Sequence, residues 1–203
     1  MQLASALTVL DAVESRRSIR RFTAEPVPRA DLIAILRAAS FAPSANNLQP
    51  WRFVVVEDPE LKEQVAAAAN GQRQVRSAPA VIVLYSDMAD TLARVEETVH
   101  PGMADRRAQL AQSLRARWAD RSEAEREAWG AGQSYIALDF LLLAAQSLGY
   151  GTSPMLGFDA AKLKAVLGLP AHVAIPAIVA IGFPDEDGFE HHRHELERVV
   201  AFR

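Results

Sequence analysis

A cluster of arginines near the N-terminus carries the first chemical signal. Four arginines within six residues, Arg16, Arg17, Arg20 and Arg21, surround Ser18. A planar guanidinium matches two phosphate oxygens at once, and a serine hydroxyl adds a further donor. The combination therefore predicts a site for a phosphomonoester. Taken alone, the run also fits a solvated basic surface, which is the commoner outcome, or a nucleic-acid patch, although no recognisable nucleic-acid-binding fold surrounds it.

A polar loop that leads into a strand carries the second signal. It runs from Ala42 to Phe53 and reads APSANNLQPWRF. Its side-chain amides and backbone groups suit the polar edge of a heteroaromatic ring, while its proline and tryptophan residues can wall the ring off. A structural turn beside a core Trp51 explains the same residues equally well, so both interpretations stay open at this stage.

Three further observations argue against additional functional sites. His191, His192 and His194 suggest a metal, but they fall in a polar tail of a chain without cysteine, so no metal site is expected. Asp139 interrupts an apolar helix, and a packing hydrogen bond or a dimer contact explains it better than general-acid catalysis. No G-x-G-x-x-G follows a predicted strand, which argues against a separate dinucleotide-binding domain.

The composition bounds the possible classes of protein. The 203 residues, of which 50% are hydrophobic, predict a single domain over 1–203. A net charge of −3 gives no general attraction to nucleic acid or membrane, and neither partner is expected. The absence of cysteine excludes disulfides, thiolate metal sites and cysteine nucleophiles. No basic segment precedes the first apolar stretch, and no apolar run approaches the roughly 20 residues of a membrane span, so a cytoplasmic location is predicted.

Helical and extended segments follow one another along the chain. Apolar residues at helical spacing predict helices over 8–17 and 29–40, and capping residues predict two more that begin after Asp58 and Asp159. Continuous apolar runs predict three buried strands, Trp51–Glu57, Pro79–Ser86 and Ala174–Gly182. This content indicates an α+β fold with a central sheet between helices.

A variable helical insert is predicted for residues 87–132, with one or two peripheral helices broken near residues 100–102. Ser122 and Glu125 match a capping box, so a new helix is expected to begin there. Residues 130–132, Gly-Ala-Gly, predict a break in that helix.

The segment Gln133–Leu148 that follows is apolar nearly all round. This pattern predicts a helix buried on every side. In a chain this small, such a helix indicates a core shared between two copies. Beyond the last predicted strand, residues 185–203 are predicted to form a polar C-terminal tail.

The two signals taken together identify a family. The motif R-R-S-x-R-x-F at residues 16–22, followed by A-P-S-x-x-N-x-Q-P-W-x-F at residues 42–53, resembles the nitroreductase family of flavoproteins. The resemblance extends over roughly residues 8–86 and 133–199. It implies a nitroreductase-like fold with a central, mostly antiparallel sheet flanked by helices in an intertwined homodimer. It also implies FMN as the cofactor and NAD(P)H as the co-substrate.

The resemblance also implies roles for particular residues. Arg16 and Ser18 match the residues that hold the FMN phosphate and ribityl chain, Arg17 lies between them at the ring edge, and Arg20 adds to the charge at the phosphate. Arg193 in the tail matches a second basic residue at the phosphate. A loop that reaches the flavin of the partner subunit matches Pro43, Ser44, Ala45 and Asn47.

Two further segments match the surroundings of the flavin ring. Asn70 and Gln72 match polar residues at the pyrimidine edge, with Gln74 as a competitor for that position. The segment that crosses the flavin near N5 matches Pro154, Met155, Leu156 and Gly157, and the Gly157 amide is a candidate donor there. Leu156 stands where related nitroreductases carry glutamate, which makes this part of the site less polar.

The activity implied by the resemblance is hydride transfer from NAD(P)H, through flavin N5, to a small-molecule acceptor in a ping-pong scheme. The acceptor is expected to be a nitroaromatic compound or a quinone. No catalytic acid, base or nucleophile is assigned, because the cofactor carries the chemistry and the protein positions it. Two alternatives stay open: reduction of an enone or a semialdehyde, and a flavin-binding protein without turnover.

Overall fold

A four-stranded antiparallel sheet forms the centre of the computed structural model, which describes residues 7–203. Its strands are β1 (Trp51–Val56), β2 (Ala80–Ser86), β3 (Gly151–Met155) and β4 (Ala174–Gly182), in the spatial order β1-β2-β4-β3. The register pairs Val54 with Val83 and Val83 with Ile178. The three predicted strands are therefore confirmed as β1, β2 and β4.

Helices cover both faces of the sheet, which confirms the predicted α+β class. In the described part of the chain they are α1 (Val9–Ser15), α2 (Arg29–Ser40), α3 (Pro59–Ala68), α4 (Arg73–Ser77), α5 (Met88–Ala93), α6 (Arg107–Ala119), α7 (Glu123–Ser147), α8 (Ala160–Leu167) and α9 (Leu196–Val199). Short 3-10 turns add Ala45–Asn47, Val95–Thr98 and Pro101–Arg106.

Side chains of the two central strands alternate between two hydrophobic layers. Ile82 and Leu84 of β2 point toward α2 and α7. Val81 and Val83 point the other way, toward α3, α4 and α8. This burial on both faces explains why β2, up to Leu84, and β4 consist of apolar residues.

Strand β3 was missed by the sequence analysis, because its five residues contain a glycine and a proline and lack an apolar pattern. Pro154 is tolerated because β3 lies at the edge of the sheet, where one side of the backbone needs no partner strand. The arginine-rich segment runs beside this edge: Ser18 forms a parallel bridge with Thr152, and Ile19 N–H donates to the Thr152 carbonyl at 2.9 Å. Thus β3 holds the arginine-rich segment in position.

The predicted break at residues 130–132 is wrong, because α7 continues through it as a single helix of 25 residues. Gly130 serves packing instead. A Cβ atom added there would lie 2.2 Å from the Ser86 Oγ and 2.8 Å from the Met88 Cγ, so only glycine lets α7 approach the end of β2 this closely. Ser122 and Glu125 do form the predicted capping box at the start of the helix.

A buried carboxylate lies at the point of this close approach. Glu127 of α7 is 4% exposed and accepts hydrogen bonds from Ser86 Oγ and Met88 N–H, both at 2.7 Å. Next to it, Asp87 accepts from the Asp90 N–H at 2.9 Å and contacts His172 Nε2 at 3.1 Å. These contacts fix the residues at which the chain leaves the sheet and enters the insert.

One face of α7 is exposed in the single chain, so one copy by itself does not bury the helix on every side. Tyr135 is 43% and Phe140 is 40% exposed, and Asp139 between them is exposed as well. The apolar pattern of the helix therefore combines a face that packs on the sheet with a second face that has no cover in one chain. Residues Val9 and Leu10 of the neighbouring α1 are also exposed.

No helix within residues 7–203 combines the length and the apolar character that a bilayer crossing requires. The expectation that a signal sequence is lacking concerned the N-terminus, of which residues 1–6 lie outside the described part.

The packing at Gly130 gives a test with a matched control on the same helix. Gly130→Ala is expected to lower the free energy of unfolding by about 1–3 kcal/mol, because the methyl group forces Ser86, Met88 or the helix itself to move. Gly132→Ala meets nothing within 4 Å and is expected to be neutral or to stabilise the helix by up to about 1 kcal/mol. Urea denaturation of both variants measures the difference, and equal stabilities would disprove the packing role.

Candidate active site

A small cavity of about 140 Å³ gathers the N-terminal arginines and part of the C-terminal tail. We call it the anion pocket. It is lined by Arg16, Arg17, Ser18, Arg20, Phe189, Glu190, His191 and Arg193. Residues distant in sequence, Arg16 and Arg193, are thus brought to one place, as the resemblance implied for the two ends of the chain.

Arg16 is the least satisfied group in this pocket. Its Nη1 atom is buried and has no hydrogen-bond partner within residues 7–203. Burial, and after it the positive charge of Arg193, lower the pKa of Arg16, while the carboxylate of Asp139 opposes them. A buried cation beside a second cation is unfavourable unless an anion compensates it. The pocket is therefore electrostatically suited to an anionic group.

The other arginines of the cluster have different surroundings. Arg17 donates from Nη1 to the Glu14 carbonyl at 2.7 Å, and Arg21 pairs with Glu186 at 3.2 Å. Glu186 also accepts the Arg20 N–H at 2.7 Å, which holds the tail against the arginine segment. The Arg20 guanidinium lies over the Phe189 ring, 5.8 Å from its centroid. Among the four arginines, Arg16 is thus the one that has a buried guanidinium nitrogen without a hydrogen-bond partner within the described residues.

A second, larger cavity of about 430 Å³ adjoins the first through Ser18 and Arg20, which line both. We call it the amide pocket. Its remaining lining residues are Asn70, Gln72, Gln74, Ser153, Pro154, Met155, Leu156 and Gly157. The structure brings together both segments that the sequence analysis assigned to the flavin ring. Arg20, expected near the phosphate only, lies between the two pockets.

Hydrogen bonds connect the amide side chains with the 155–157 segment. The Asn70 and Gln72 side chains donate to the Gly157 carbonyl at 3.1 and 2.8 Å. Gln74 donates to the Gln72 side chain at 2.8 Å and to Met155 Sδ at 3.1 Å. Gln74, considered only as a competitor, therefore shares the pocket with Asn70 and Gln72, and Ser153 was missed. The amide pattern N-x-Q-x-Q before β2 was the available signal for including all three.

The loop at 43–47 lies elsewhere in the single chain. It does not line either pocket within the described residues. Ser44 Oγ accepts the Gln49 N–H at 3.0 Å, the Ala45 N–H donates to the Gln133 side chain at 2.9 Å, and Asn47 Nδ2 donates to the Thr98 carbonyl at 3.0 Å. These contacts fix the loop against α7 and the insert.

Unusual backbone angles occur in the loop at residues 46–49 and at Asn70 of the amide pocket. Within residues 7–203, the non-glycine residues with positive φ are Asn46, Asn47, Gln49 and Asn70, at 46–56°. Asparagine tolerates the left-handed region better than most residues, whereas glutamine there is uncommon. Such conformations persist only where the surrounding contacts hold them. Here the hydrogen bonds of Ser44, Asn47 and Asn70 do so.

Comparison with known proteins agrees with this geometry. A family model described as the nitroreductase family matches residues 13–183. A Thermus thermophilus protein named NADH dehydrogenase is 50% identical, over 98% of this chain and 99% of its own length. A nitroreductase-like protein from Streptococcus mutans superposes with a TM-score of 0.85 at 30% identity, covering 96% of this chain and 97% of its own.

A third protein shares the fold at lower sequence identity. The structure from Exiguobacterium sibiricum, solved in complex with FMN, gives a TM-score of 0.89 at 23% identity over 100% of both chains. The match of the family model covers most of the chain and includes the arginine segment, the polar loop, the amide pocket and all four strands. On this evidence, the chain belongs to the nitroreductase family.

Proposed function

We propose that this protein is an FMN-dependent NAD(P)H oxidoreductase. The observation that carries the proposal is the buried, unpaired Nη1 of Arg16 in a pocket that shares Ser18 and Arg20 with a second, amide-lined cavity. The anion pocket requires a negatively charged group, and the amide pocket requires a polar ring that forms hydrogen bonds. A flavin mononucleotide combines both in one molecule, and the FMN complex of the structurally similar Exiguobacterium protein supports this choice.

The sizes of the two cavities fit the parts of FMN. A volume of about 140 Å³ suits a phosphate rather than a ring system, and about 430 Å³ falls within the range of pockets that hold small organic molecules. Ser18 and Arg20 line both cavities and would contact the ribityl chain between them. The residues present therefore fit the cofactor that the family implies.

Each group has a definite task in this assignment. Arg16 and Arg193 bind the phosphate, since their charges face the same small cavity. Asn70, Gln72 and Gln74 offer amide groups to the pyrimidine edge of the ring, and Arg20 is the charged residue that lines the same cavity. Positive charge at this edge favours a ring that becomes anionic on reduction.

The loop around Gly157 would contribute a backbone amide to the binding of the ring. The Gly157 carbonyl is occupied by Asn70 and Gln72, whereas its N–H makes no hydrogen bond within the described residues. This N–H is thus available as a donor near flavin N5. Leu156 beside it is 66% exposed and adds an apolar side chain to the lining of the amide pocket.

Bound FMN supplies the redox chemistry, which is hydride uptake from NAD(P)H and hydride delivery to an organic acceptor in a ping-pong scheme. The name NADH dehydrogenase on the Thermus relative supports a nicotinamide donor. Nitroaromatic compounds and quinones are the proposed acceptors, with enones and semialdehydes as the alternative. The protein contributes binding and orientation, and the cytoplasm is its proposed location.

We also propose that the protein acts as a homodimer. The exposed apolar residues of α7 and α1, which include Tyr135, Phe140, Val9 and Leu10, form a surface that a second copy would cover. A dimer would also give a role to Pro43, Ser44, Ala45 and Asn47, whose loop lies away from both pockets of its own chain. In the proposed assembly this loop covers the flavin of the partner subunit.

The assignment of Arg16 is tested by Arg16→Ala. We expect FMN affinity to fall by about 30-fold or more, because a charge-assisted contact to phosphate is worth roughly 2 kcal/mol. The apoprotein should keep its stability, since the variant removes a buried cation without a partner among the described residues. Fluorescence titration with FMN and urea denaturation measure the two effects. Arg37→Ala on α2, outside both pockets, is the control. Unchanged affinity in Arg16→Ala would refute the phosphate site.

Turnover is tested on the purified, FMN-loaded protein under anaerobic conditions. We expect NADH or NADPH to bleach the yellow flavin absorbance within seconds, because a typical enzyme turns over at about 10 s⁻¹. Subsequent addition of a quinone should restore the yellow colour. A flavin that stays oxidised with both nucleotides would identify a binding protein without turnover.

The dimer is tested by light scattering at micromolar concentration. We expect a mass twice that of the 22.2 kDa chain. Phe140→Asp should shift the mass toward the monomer, because a carboxylate would have to be buried in the apolar contact. A monomeric wild-type protein would contradict the proposed assembly.

A further inference from the structure

A cavity of about 630 Å³ lies between the insert and the loop at Ala45–Asn47, apart from the anion and amide pockets. We call it the insert cavity. One wall is a single face of α6, because Leu110, Leu114 and Arg117 recur at helical spacing. Val99 and Met103 of the preceding segment complete an apolar lining. The cavity is large enough for a small organic molecule.

Its charged lining is entirely basic within the described residues. Arg117 lines the cavity and makes no ion pair or hydrogen bond with another residue in the range 7–203. Its neighbour Arg115, in contrast, is paired with Glu96 at 2.6 Å, and Arg94 is paired with Asp90 at 2.9 Å. Other arginines of the insert also lack an ion pair within the described residues, but Arg117 is the one of them that lines the cavity.

His100 adds a donor to the same cavity. Its Nδ1 accepts the Gly102 N–H at 3.0 Å, so the neutral ring carries its proton on Nε2. The imidazole can then donate a hydrogen bond without being charged. Arg117 lies seven residues from Leu110, which corresponds to about 10 Å along the helix axis. Apolar side chains and basic groups thus line the same cavity.

The insert cavity is physically coupled to the loop at 45–47. Asn46 and Asn47 line it, and Asn47 Nδ2 donates to the carbonyl of Thr98, another lining residue, at 3.0 Å. In the proposed dimer this loop covers the partner's flavin. A molecule held in the cavity would therefore lie beside the place where electrons are delivered. This step rests on the proposed function.

We propose that the insert cavity binds the electron acceptor, and that the acceptor class is an amphipathic organic acid. Val99, Met103, Leu110 and Leu114 contact its apolar body, and Arg117 with His100 binds its carboxylate. Specificity for the acid arises because a neutral analogue leaves the guanidinium without an anion, while the apolar contacts stay the same.

The test compares a nitrophenyl alkanoate with its primary amide, which differ in charge but hardly in size. In the wild-type protein we expect the acid to have the lower KM. Arg117→Gln should raise the KM for the acid about tenfold and change that for the amide less than twofold, with kcat unaltered for both. Arg107→Gln at the start of the same helix, outside the cavity lining, should change neither.

A binding measurement makes the result independent of turnover. Calorimetric titration of the FMN-loaded protein with the same acid should give an affinity that falls about tenfold in Arg117→Gln. Equal effects on acid and amide, or no binding of the acid, would overturn the inference. So would a change in dimer mass in Arg117→Gln, since the cavity would then hold a segment of the second copy. Failure of the proposed function has a separate signature, namely a wild-type flavin that NAD(P)H does not bleach.

Discussion

The contact between Ile19 and the edge strand β3 fixes the position of the arginine segment, and both pockets depend on it. Ile19 is buried against Gly151, where an added Cβ would lie 2.8 Å from the isoleucine side chain, and its N–H donates to the Thr152 carbonyl. Because side chains of an extended segment alternate between faces, Ser18 and Arg20 must then point away from the core. The two residues that line both pockets owe their position to one buried neighbour.

Electrostatic interactions among these residues favour the binding of an anion. Arg16 and Arg193 converge from opposite ends of the chain, and Asp139 of α7 is the carboxylate that partly offsets them. The balance stays positive at a partly buried position, where charge interactions are less screened than in water. An anionic ligand therefore relieves an unfavourable interaction of the free protein as well as forming new contacts. Binding and stability are coupled for that reason.

The insert is attached to this framework at two points. Glu127 holds the start of α5 through the Met88 N–H, and Asn47 holds the carbonyl of Thr98. The insert forms helices in which Arg94 and Arg115 are paired with Asp90 and Glu96, whereas Arg117 at the insert cavity has no ion pair within the described residues. Under the proposed function, the insert contacts the acceptor while residues outside it hold the cofactor, so separate parts of the chain carry the two tasks.

The sequence by itself determined the local elements and the chemical character of the site. Apolar runs defined β1, β2 and β4, and capping side chains at Asp58, Ser122 and Asp159 defined helix starts, because these signals depend on residues only a few positions apart. The paired motifs pointed to the family, and the family model agrees. The residues predicted to contact the flavin ring share one cavity with Arg20. Only the resemblance to the family gave reason to expect this.

The tertiary structure decided what depends on distant neighbours. Gly130 was expected to break a helix, yet the close approach of Ser86 makes it a packing residue inside α7. Strand β3 forms because β4 and the arginine segment offer it partners, although its own five residues have little strand character. The exposed face of α7 and the basic insert cavity likewise have no local signature. Both depend on how elements that are distant in sequence pack against one another.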